Sequence, residues 1–313
     1  MATMTSNKIW ERFMPANYRT SGMRVEELIR VTSEALERSG VWFGHGTDNA
    51  LDDAAEIVFF ACALRHEDAE QAYEHKVTEA EFAALSSLLE RRIDGRVPTA
   101  YLTRRMWFAG HEFYVDERVL VPRSPIAELI VAQFSPWIDA SRVRKVIDIG
   151  SGSGCIAIAC ALAFPNASAD ACDISEDALA VTRINIDRFN LSSRVEARQS
   201  DVFDGVSGRC YDIIVSNPPY VGAEELASLP VEYAKEPRLG LSGGVDGLDI
   251  VRRILAGASQ HLNPGGLLVV EVGNTEDELV EAYPRVPFTW LDFAHGGGGV
   301  FLLTQEQVAE IAG

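Results

Sequence analysis

Lys145-Val146-Ile147-Asp148-Ile149-Gly150-Ser151-Gly152-Ser153-Gly154 runs directly into the apolar stretch Cys155–Ala163. Four of the first five residues suit a pleated, buried strand, and the stretch after the glycines is long enough for a helix. Between them, glycines let the backbone turn sharply and let a ligand approach the main chain closely. Strand, glycine turn, helix is the opening unit of a doubly wound α/β domain. G-x-G-x-G alone fits several nucleotide folds. The dinucleotide spacing G-x-G-x-x-G/A would place Cys155 at the small-residue position, and here the third glycine comes one residue early.

Working outward, the same alternation continues. Ala169–Cys172 reads as a strand and Glu176–Asn190 as a helix capped by Ser175. Val195–Gln199 and Tyr211–Val215 are strands, Gly247–His261 is a helix stopped by Asn263-Pro264-Gly265-Gly266, and Leu267–Val272 is a strand before a helix at Thr275–Tyr283. Phe288–Phe293 and Val300–Thr304 are joined by a turn at Gly296–Gly299, too short for a crossover, so they pair antiparallel at the sheet edge. Ser124 as N-cap and Pro125 at the first helical position start a further helix. The expected catalytic domain spans residues 122–313, a mainly parallel sheet with helices on both faces.

Residues 106–121 contain Met106-Trp107-Phe108, Ala109-Gly110 and His111–Val115, a β-hairpin linker. Residues 1–105 read as a small all-α domain. Its helices cover Met23–Arg38, Leu51–Leu64 and a third starting at the capping box Thr78-Glu79-Ala80-Glu81, while residues 1–20 show little periodicity.

Composition limits what this chain can do. A formal charge of −18 disfavours a large sequence-independent grip on nucleic acid and suits a basic protein partner. No apolar stretch is long enough for a membrane span, and Met1–Trp10 has no signal core, so a cytoplasmic location is expected with no membrane partner. The five cysteines form no C-x-x-C pair and the six histidines show no metal-ligand spacing, so no metal is expected. One local exception to the acidity is Arg91, Arg92, Arg96, Arg104 and Arg105. They read either as a solvated face paired to residues such as Glu90 and Asp94 or as a patch for phosphate.

Chemistry concentrates at strand ends. Asp173 closes the second strand, where a carboxylate can accept ribose hydroxyls. Asp201 follows the third strand and can accept from an exocyclic amine, with Val202 against the base. After Tyr211–Val215 comes Asn217-Pro218-Pro219-Tyr220. Two prolines end the ladder and stiffen the chain. They leave a shelf with one side-chain amide, free carbonyls and an aromatic ring, a set suited to holding a planar amino group.

Glycine turn, Asp173, Asp201 and the N-P-P-Y shelf together resemble the class I S-adenosylmethionine-dependent methyltransferases that act on planar nitrogen. Val119-Leu120-Val121-Pro122-Arg123 with Glu128, and Glu236-Pro237 through Gly243-Gly244-Val245-Asp246-Gly247-Leu248, are similar to the protein glutamine-N5 methyltransferase family. The release-factor branch of that family carries Pro-Arg-Pro-Asp-Thr-Glu, whereas this chain has Pro122-Arg123-Ser124-Pro125-Ile126-Ala127-Glu128. It is more similar to the branch acting on large-subunit ribosomal protein number three. The strings Phe43–Asn49, His111–Arg118 and Val286–Leu291 extend that likeness over nearly the whole chain beyond the first twenty residues.

The resemblance implies a Rossmann-like seven-stranded sheet with an antiparallel edge strand and a helical substrate-recognition domain. It implies S-adenosylmethionine as donor, contacted by Asp148, Gly150, Ser151, Gly152, Gly154, Asp173, Ile174, Asp201, Val202 and Asn217. Asn217, Pro218 and Tyr220 would be catalytic. Asn217, Pro218, Pro219, Tyr220, Arg123 and Glu128 would face the substrate, with Arg123 and Glu128 holding either their loop or the glutamine carbonyl. The implied partner is ribosomal protein number three, free or in an assembling particle, with a peripheral ribosomal RNA contact through the arginines. An adenine or guanine amino-methyltransferase, a release-factor enzyme and an assembly factor with incidental transfer activity are the alternatives, with a nicotinamide dehydrogenase further off for want of an acid–base partner.

Overall fold

The computed structural model describes residues 8–13, 22–65 and 68–311. The chain divides into two compact units: residues up to Arg105 together with Pro230–Lys235, and Met106–Leu229 together with Glu236–Gly313. The β-hairpin therefore groups with the second unit, and a six-residue segment from the middle of the chain groups with the first, an excursion that hydrophobic patterning does not announce.

The first unit is helical: α1 (Lys8–Glu11), α2 (Val25–Ser39), α3 (Ala50–Ala61), α4 (Ala69–Tyr73), α5 (Glu79–Ile93) and α6 (Thr99–Thr103). The weak patterning of residues 1–20 falls mostly outside the described residues. Within it, however, α1 buries Ile9 and Trp10, and Trp10 Nε1 donates to Ser86 Oγ at 2.8 Å. The string Phe43–Asn49 has a structural purpose. Asn49 caps α3 by accepting from Asp52 N at 2.9 Å, and Thr47 Oγ1 donates to Asp53 Oδ1 at 2.7 Å. Thr78 and Glu81 close the capping box at the start of α5.

Three of the five clustered arginines are consumed inside this unit. Buried Arg92 donates through Nε to Asp53 Oδ2 at 2.8 Å and through Nη2 to Trp42 O at 2.7 Å. Arg96 pairs with Glu232 of the inserted segment at 3.2 Å, and Trp42 N donates to the same carboxylate at 2.9 Å. Arg105 pairs with Glu56 at 3.1 Å. The partners are Asp53, Glu56 and Glu232, not Glu90 and Asp94, because the tertiary fold brings distant carboxylates closer than helical neighbours.

The second unit begins with β1 (Met106–Phe108) and β2 (His111–Phe113), an antiparallel hairpin turned by Ala109 and Gly110 at positive φ. Then follow α7 (Ile126–Val131), β3 (Lys145–Ile149), α8 (Cys155–Ala163), β4 (Ser168–Asp173), α9 (Glu176–Arg188), β5 (Val195–Gln199), β6 (Tyr211–Ser216), α10 (Ala223–Ser228), α11 (Asp249–Ala258), β7 (Leu262–Glu271), α12 (Glu276–Ala282), β8 (Thr289–Trp290), β9 (Val300–Thr304) and α13 (Gln305–Ile311). The sheet order is β5-β4-β3-β6-β7-β9-β8, parallel from β5 through β7. β9 runs antiparallel to both β7 and β8, so the reversed strand lies one place in from the edge, with two-residue β8 outside it. Hydrophobic layers cover both faces, one containing Val146, Ile213 and Val269, the other Ile147, Ile214 and Leu268. That two-sided burial is why the central strands are continuous apolar runs instead of alternating ones. The strand order reverses between β3 and β6, opening a crevice at their carboxyl ends where α/β sheets place ligands. No helix among the described residues is long and apolar enough to cross a membrane.

Candidate active site

Two loops leave the sheet side by side at that crevice. The glycine turn after β3 has Gly150, Gly152 and Gly154 all at positive φ. It is pinned to the neighbouring strand, with Gly150 N and Ser151 N both donating to Cys172 O at 2.8 and 2.9 Å. The N-P-P-Y shelf after β6 is pinned from the other side, Ser216 Oγ donating to Ile149 O at 2.6 Å. Between them lies a cavity of about 280 Å³. Gly150, Ser151, Gly152, Asp173, Ile174, Asp201, Val202, Asn217, Pro219 and Arg123 all line it, so most of the residues singled out from the sequence converge on one place.

Asp173 shapes the cavity as well as lining it. Its Oδ2 accepts from Gly152 N at 2.9 Å and its Oδ1 from Ser175 N at 2.8 Å. A carboxylate has about four lone-pair sites, so each oxygen keeps capacity for a hydroxyl donor. Burial raises its pKa, against the lowering effect of the Ser175 and Gly152 amides. Ser151 Oγ is buried in the wall of the same cavity with no hydrogen-bond partner among the described residues, and Ile174 presents an exposed apolar side chain beside it. Nearby, Val202 sits at φ +55, an unusual conformation for a β-branched residue and a sign of stored strain. Ser200 Oγ braces it by donating to Val202 O at 2.7 Å while accepting from Gly205 N at 2.9 Å. Uncommitted acceptors, a buried hydroxyl and apolar faces suit a nucleoside with ribose hydroxyls and a flat base.

Four expectations are altered. Asp148 is fully buried beneath the turn and lines no part of the cavity. It accepts from Ala157 N at 3.1 Å inside α8, and burial, with a further contribution from Asp173, pushes its carboxyl up to about 8. Its place just before the glycines made it look like a ligand contact; its actual work is under the helix N-terminus. Gly154 also lies off the cavity wall, against Thr182, where a Cβ would come within 2.7 Å of Cγ2. Asp201 is engaged by Arg253, whose Nη1 donates to Oδ1 at 2.7 Å, so one of its oxygens already serves a cation. Glu128 accepts from Ala294 N and His295 N, both at 2.9 Å. Both oxygens hold the loop before Gly296–Gly299, and those amides lower its pKa.

Arg123 is likewise braced. Its Nη1 and Nη2 donate to Glu236 Oε1 and Oε2 at 2.7 and 2.9 Å, and Val121 N donates to the same Glu236 Oε1 at 2.9 Å. The strings Val119–Arg123 and Glu236-Pro237 are thus two halves of one clamp.

At the shelf, the Asn217 side chain and the Asn217 and Pro218 carbonyls have no hydrogen-bond partner among the described residues. Pro218 itself is buried and lines neither this cavity nor the next. Tyr220 does not face the first cavity. It lines a second one with Arg123, Glu271, Gly273 and Gly297–Gly299. Its ring lies on Gly273 so closely that a Cβ there would come within 2.5 Å of Cε2, and a Cβ on Gly247 would come within 2.2 Å of the Tyr220 carbonyl oxygen. Sequence reading missed Glu271, at the end of β7. It is buried, accepts from Tyr220 Oη at 2.8 Å and from Ser124 Oγ at 2.5 Å, and has its pKa raised by burial. The only signal was a lone acid closing an apolar strand.

A seven-stranded sheet of this order, with a glycine turn, a strand-end acid and an N-P-P-Y shelf around one crevice, defines a class I methyltransferase. Residues 128–232 match the family described as methyltransferase small domain. The chain is 45% identical over 285 residues to a ribosomal protein uL3 glutamine methyltransferase of Neisseria gonorrhoeae, covering 91% of this chain and 95% of that protein. It is 43% identical over 287 residues to a protein of the same name from Francisella tularensis subsp. tularensis, covering 91% of each. Among solved structures it is similar to a methyltransferase from Pyrococcus furiosus, with 21% identity, a TM-score of 0.45, and coverage of 62% of this chain and 88% of that one. The chain belongs to the ribosomal protein uL3 glutamine methyltransferase family.

Proposed function

We propose that the protein transfers a methyl group from S-adenosylmethionine to the side-chain amide nitrogen (N5) of a glutamine in ribosomal protein uL3, the large-subunit protein number three. The carrying observation is the Asn217 side-chain amide, without a hydrogen-bond partner among the described residues, on the shelf residue that lines the cavity beside Asp173 and the glycine turn. Bound in that cavity, S-adenosylmethionine supplies an electrophilic methyl group.

An amide nitrogen is a weak nucleophile because its lone pair is shared with its carbonyl. As it attacks the methyl carbon, the carbon–sulfur bond breaks with its electron pair left on sulfur, giving S-adenosylhomocysteine, while the sharing with the carbonyl is lost and positive charge grows on nitrogen. The Asn217 side-chain oxygen and the Pro218 carbonyl accept the two N–H bonds, and they do so more strongly as charge develops, so they stabilise the transition state above the ground state. Pro219 stiffens the shelf, and the Tyr220 ring bounds the amide's position and favours the developing cation. Asp173 takes the ribose hydroxyls, with Gly150, Ser151 and Gly152 along the nucleoside, Ile174 and Val202 against the base and the remaining Asp201 oxygen toward its amine. Arg123 and Glu128 act through the loops they hold. After transfer the nitrogen sheds its proton to water.

The helical unit serves as the reader of the ribosomal protein, and the acidic surface of the chain favours so basic a class of substrate. A peripheral RNA contact through the arginine cluster loses support, since Arg92, Arg96 and Arg105 are ion-paired internally. A ribosomal substrate places the enzyme in the cytoplasm. Incubation with labelled S-adenosylmethionine and purified uL3, then peptide mass spectrometry, should find one methylated glutamine. Label in DNA, RNA or a release factor, with none in uL3, would overturn the assignment.

A further inference from the structure

Glu271 joins two of the strands of chemistry described above. Its Oε1 accepts from the Tyr220 hydroxyl and its Oε2 from the Ser124 hydroxyl, while Ser124 Oγ in turn accepts from Ile126 N at 3.2 Å at the start of α7. Both hydroxyls point their hydrogens at the one carboxyl group, which fixes two rotors at once. Tyr220 is then held at both ends. Its backbone follows two prolines with Gly247 behind its carbonyl, and its hydroxyl is anchored on β7, a strand paired along both edges. Gly273, two residues past Glu271, lies against the ring so closely that a Cβ there would come within 2.5 Å of Cε2, so only glycine leaves the ring its place.

We propose that Glu271 is a positioning residue for methyl transfer: by anchoring the Tyr220 hydroxyl it fixes the ring that bounds the acceptor amide, and by anchoring Ser124 it holds the Arg123 loop in register with that ring. This rests on the reading of Tyr220 given above. Glu271 does not line the donor cavity, so its loss should lower turnover without altering donor affinity. A ring misplaced by an ångström is enough to cost about a hundredfold in rate.

The test is steady-state methylation of purified uL3 by the full-length enzyme, comparing wild type, Glu271→Gln, Tyr220→Phe and the double variant, with donor affinity measured by calorimetry. Glu271→Gln should lower kcat by about tenfold to a hundredfold, with KM for uL3 and donor Kd within about twofold of wild type. Tyr220→Phe keeps the ring and removes the same hydrogen bond from the other end, so it should lower kcat in the same direction. The double variant should be no slower than the slower single variant, because both substitutions break one link. Losses that multiply in the double variant, or kcat within twofold of wild type in either single, would overturn the proposal. If Glu271→Gln fails to fold, Tyr220→Phe alone decides by the same kcat criterion. Absence of uL3 methylation by the wild-type enzyme would instead sink the functional reading on which this rests.

Discussion

Arg123 and Glu236 face each other as a two-pronged pair, Nη1 to Oε1 at 2.7 Å and Nη2 to Oε2 at 2.9 Å, with the Glu236 side chain wholly buried. Lysine cannot reproduce the fork. Arg123→Lys should destabilise the protein by about 1–3 kcal/mol, less than for a fully buried pair because the guanidinium is partly exposed. Urea unfolding checks this; an unchanged midpoint would show that the clamp is dispensable.

Asn217→Ala should lower turnover on uL3 by about 10²–10³-fold while leaving S-adenosylmethionine affinity nearly intact, since it removes an acceptor needed mainly in the transition state. Single-turnover rates and calorimetry separate the two. Turnover above a few per cent of wild type would remove Asn217 from its assigned role.

Asp173→Asn should weaken donor binding by about tenfold or more, since the ionised carboxylate accepts hydroxyls and two turn amides together. Donor affinity of the wild type should also fall as pH falls through this carboxyl's raised pKa. The direction follows because the protonated form loses acceptor strength. A variant with wild-type Kd, measured by calorimetry at neutral pH, would dismiss the ribose assignment.

Asp148 ought to make stability depend on pH in the unusual sense for a carboxyl group. Its ordinary value is 3.8 and burial lifts it to about 8, so between those values the folded chain keeps a proton that the unfolded chain releases. Stability from this group therefore declines as pH rises across that window and levels off above it. Asp148→Asn should remove the decline, so its advantage over wild type should grow from pH 5 to pH 8 in denaturant titrations. A stability difference constant with pH would contradict this.

Asp53→Ala strands the buried Arg92 guanidinium, whose Nε donates to Asp53 at 2.8 Å with both side chains 2% exposed. Removing one partner of such a pair costs about 3–5 kcal/mol. Chemical unfolding followed by tryptophan fluorescence measures it, and a loss under about 1 kcal/mol would show that Trp42 O and Glu232 suffice for the cation.

Strand β3 was legible to the residue, because a short β-branched run bounded by turn residues leaves little choice of register. The crevice was legible too, since strand ends are where glycines, acids and Asn217 stop looking like core. What stayed hidden depends on distance along the chain. Short α4, α6, α10 and α13 carry too few turns to show a period. Glu236 and Glu271 carry no local sign that one will clamp Arg123 and the other Tyr220, because those pairs span 113 and 51 positions respectively. Asp148 lies under the glycine turn and off the cavity wall for a related reason: adjacency to a turn in sequence says nothing about which side of the backbone a carboxylate takes. The arginine cluster looked like a surface because its counter-charges lie elsewhere in the chain.

The Pro230–Lys235 excursion has a consequence for how this protein can be cut. A fragment ending at Arg105 would lack Glu232, and with it the counter-ion of Arg96 and the acceptor for Trp42 N. The helical unit is therefore not a detachable cassette. Any exchange of it between relatives must carry the six-residue graft along, and the graft's own stem begins ten residues downstream of Tyr220, so a swap of helical units is also surgery on the chain that leaves the N-P-P-Y shelf.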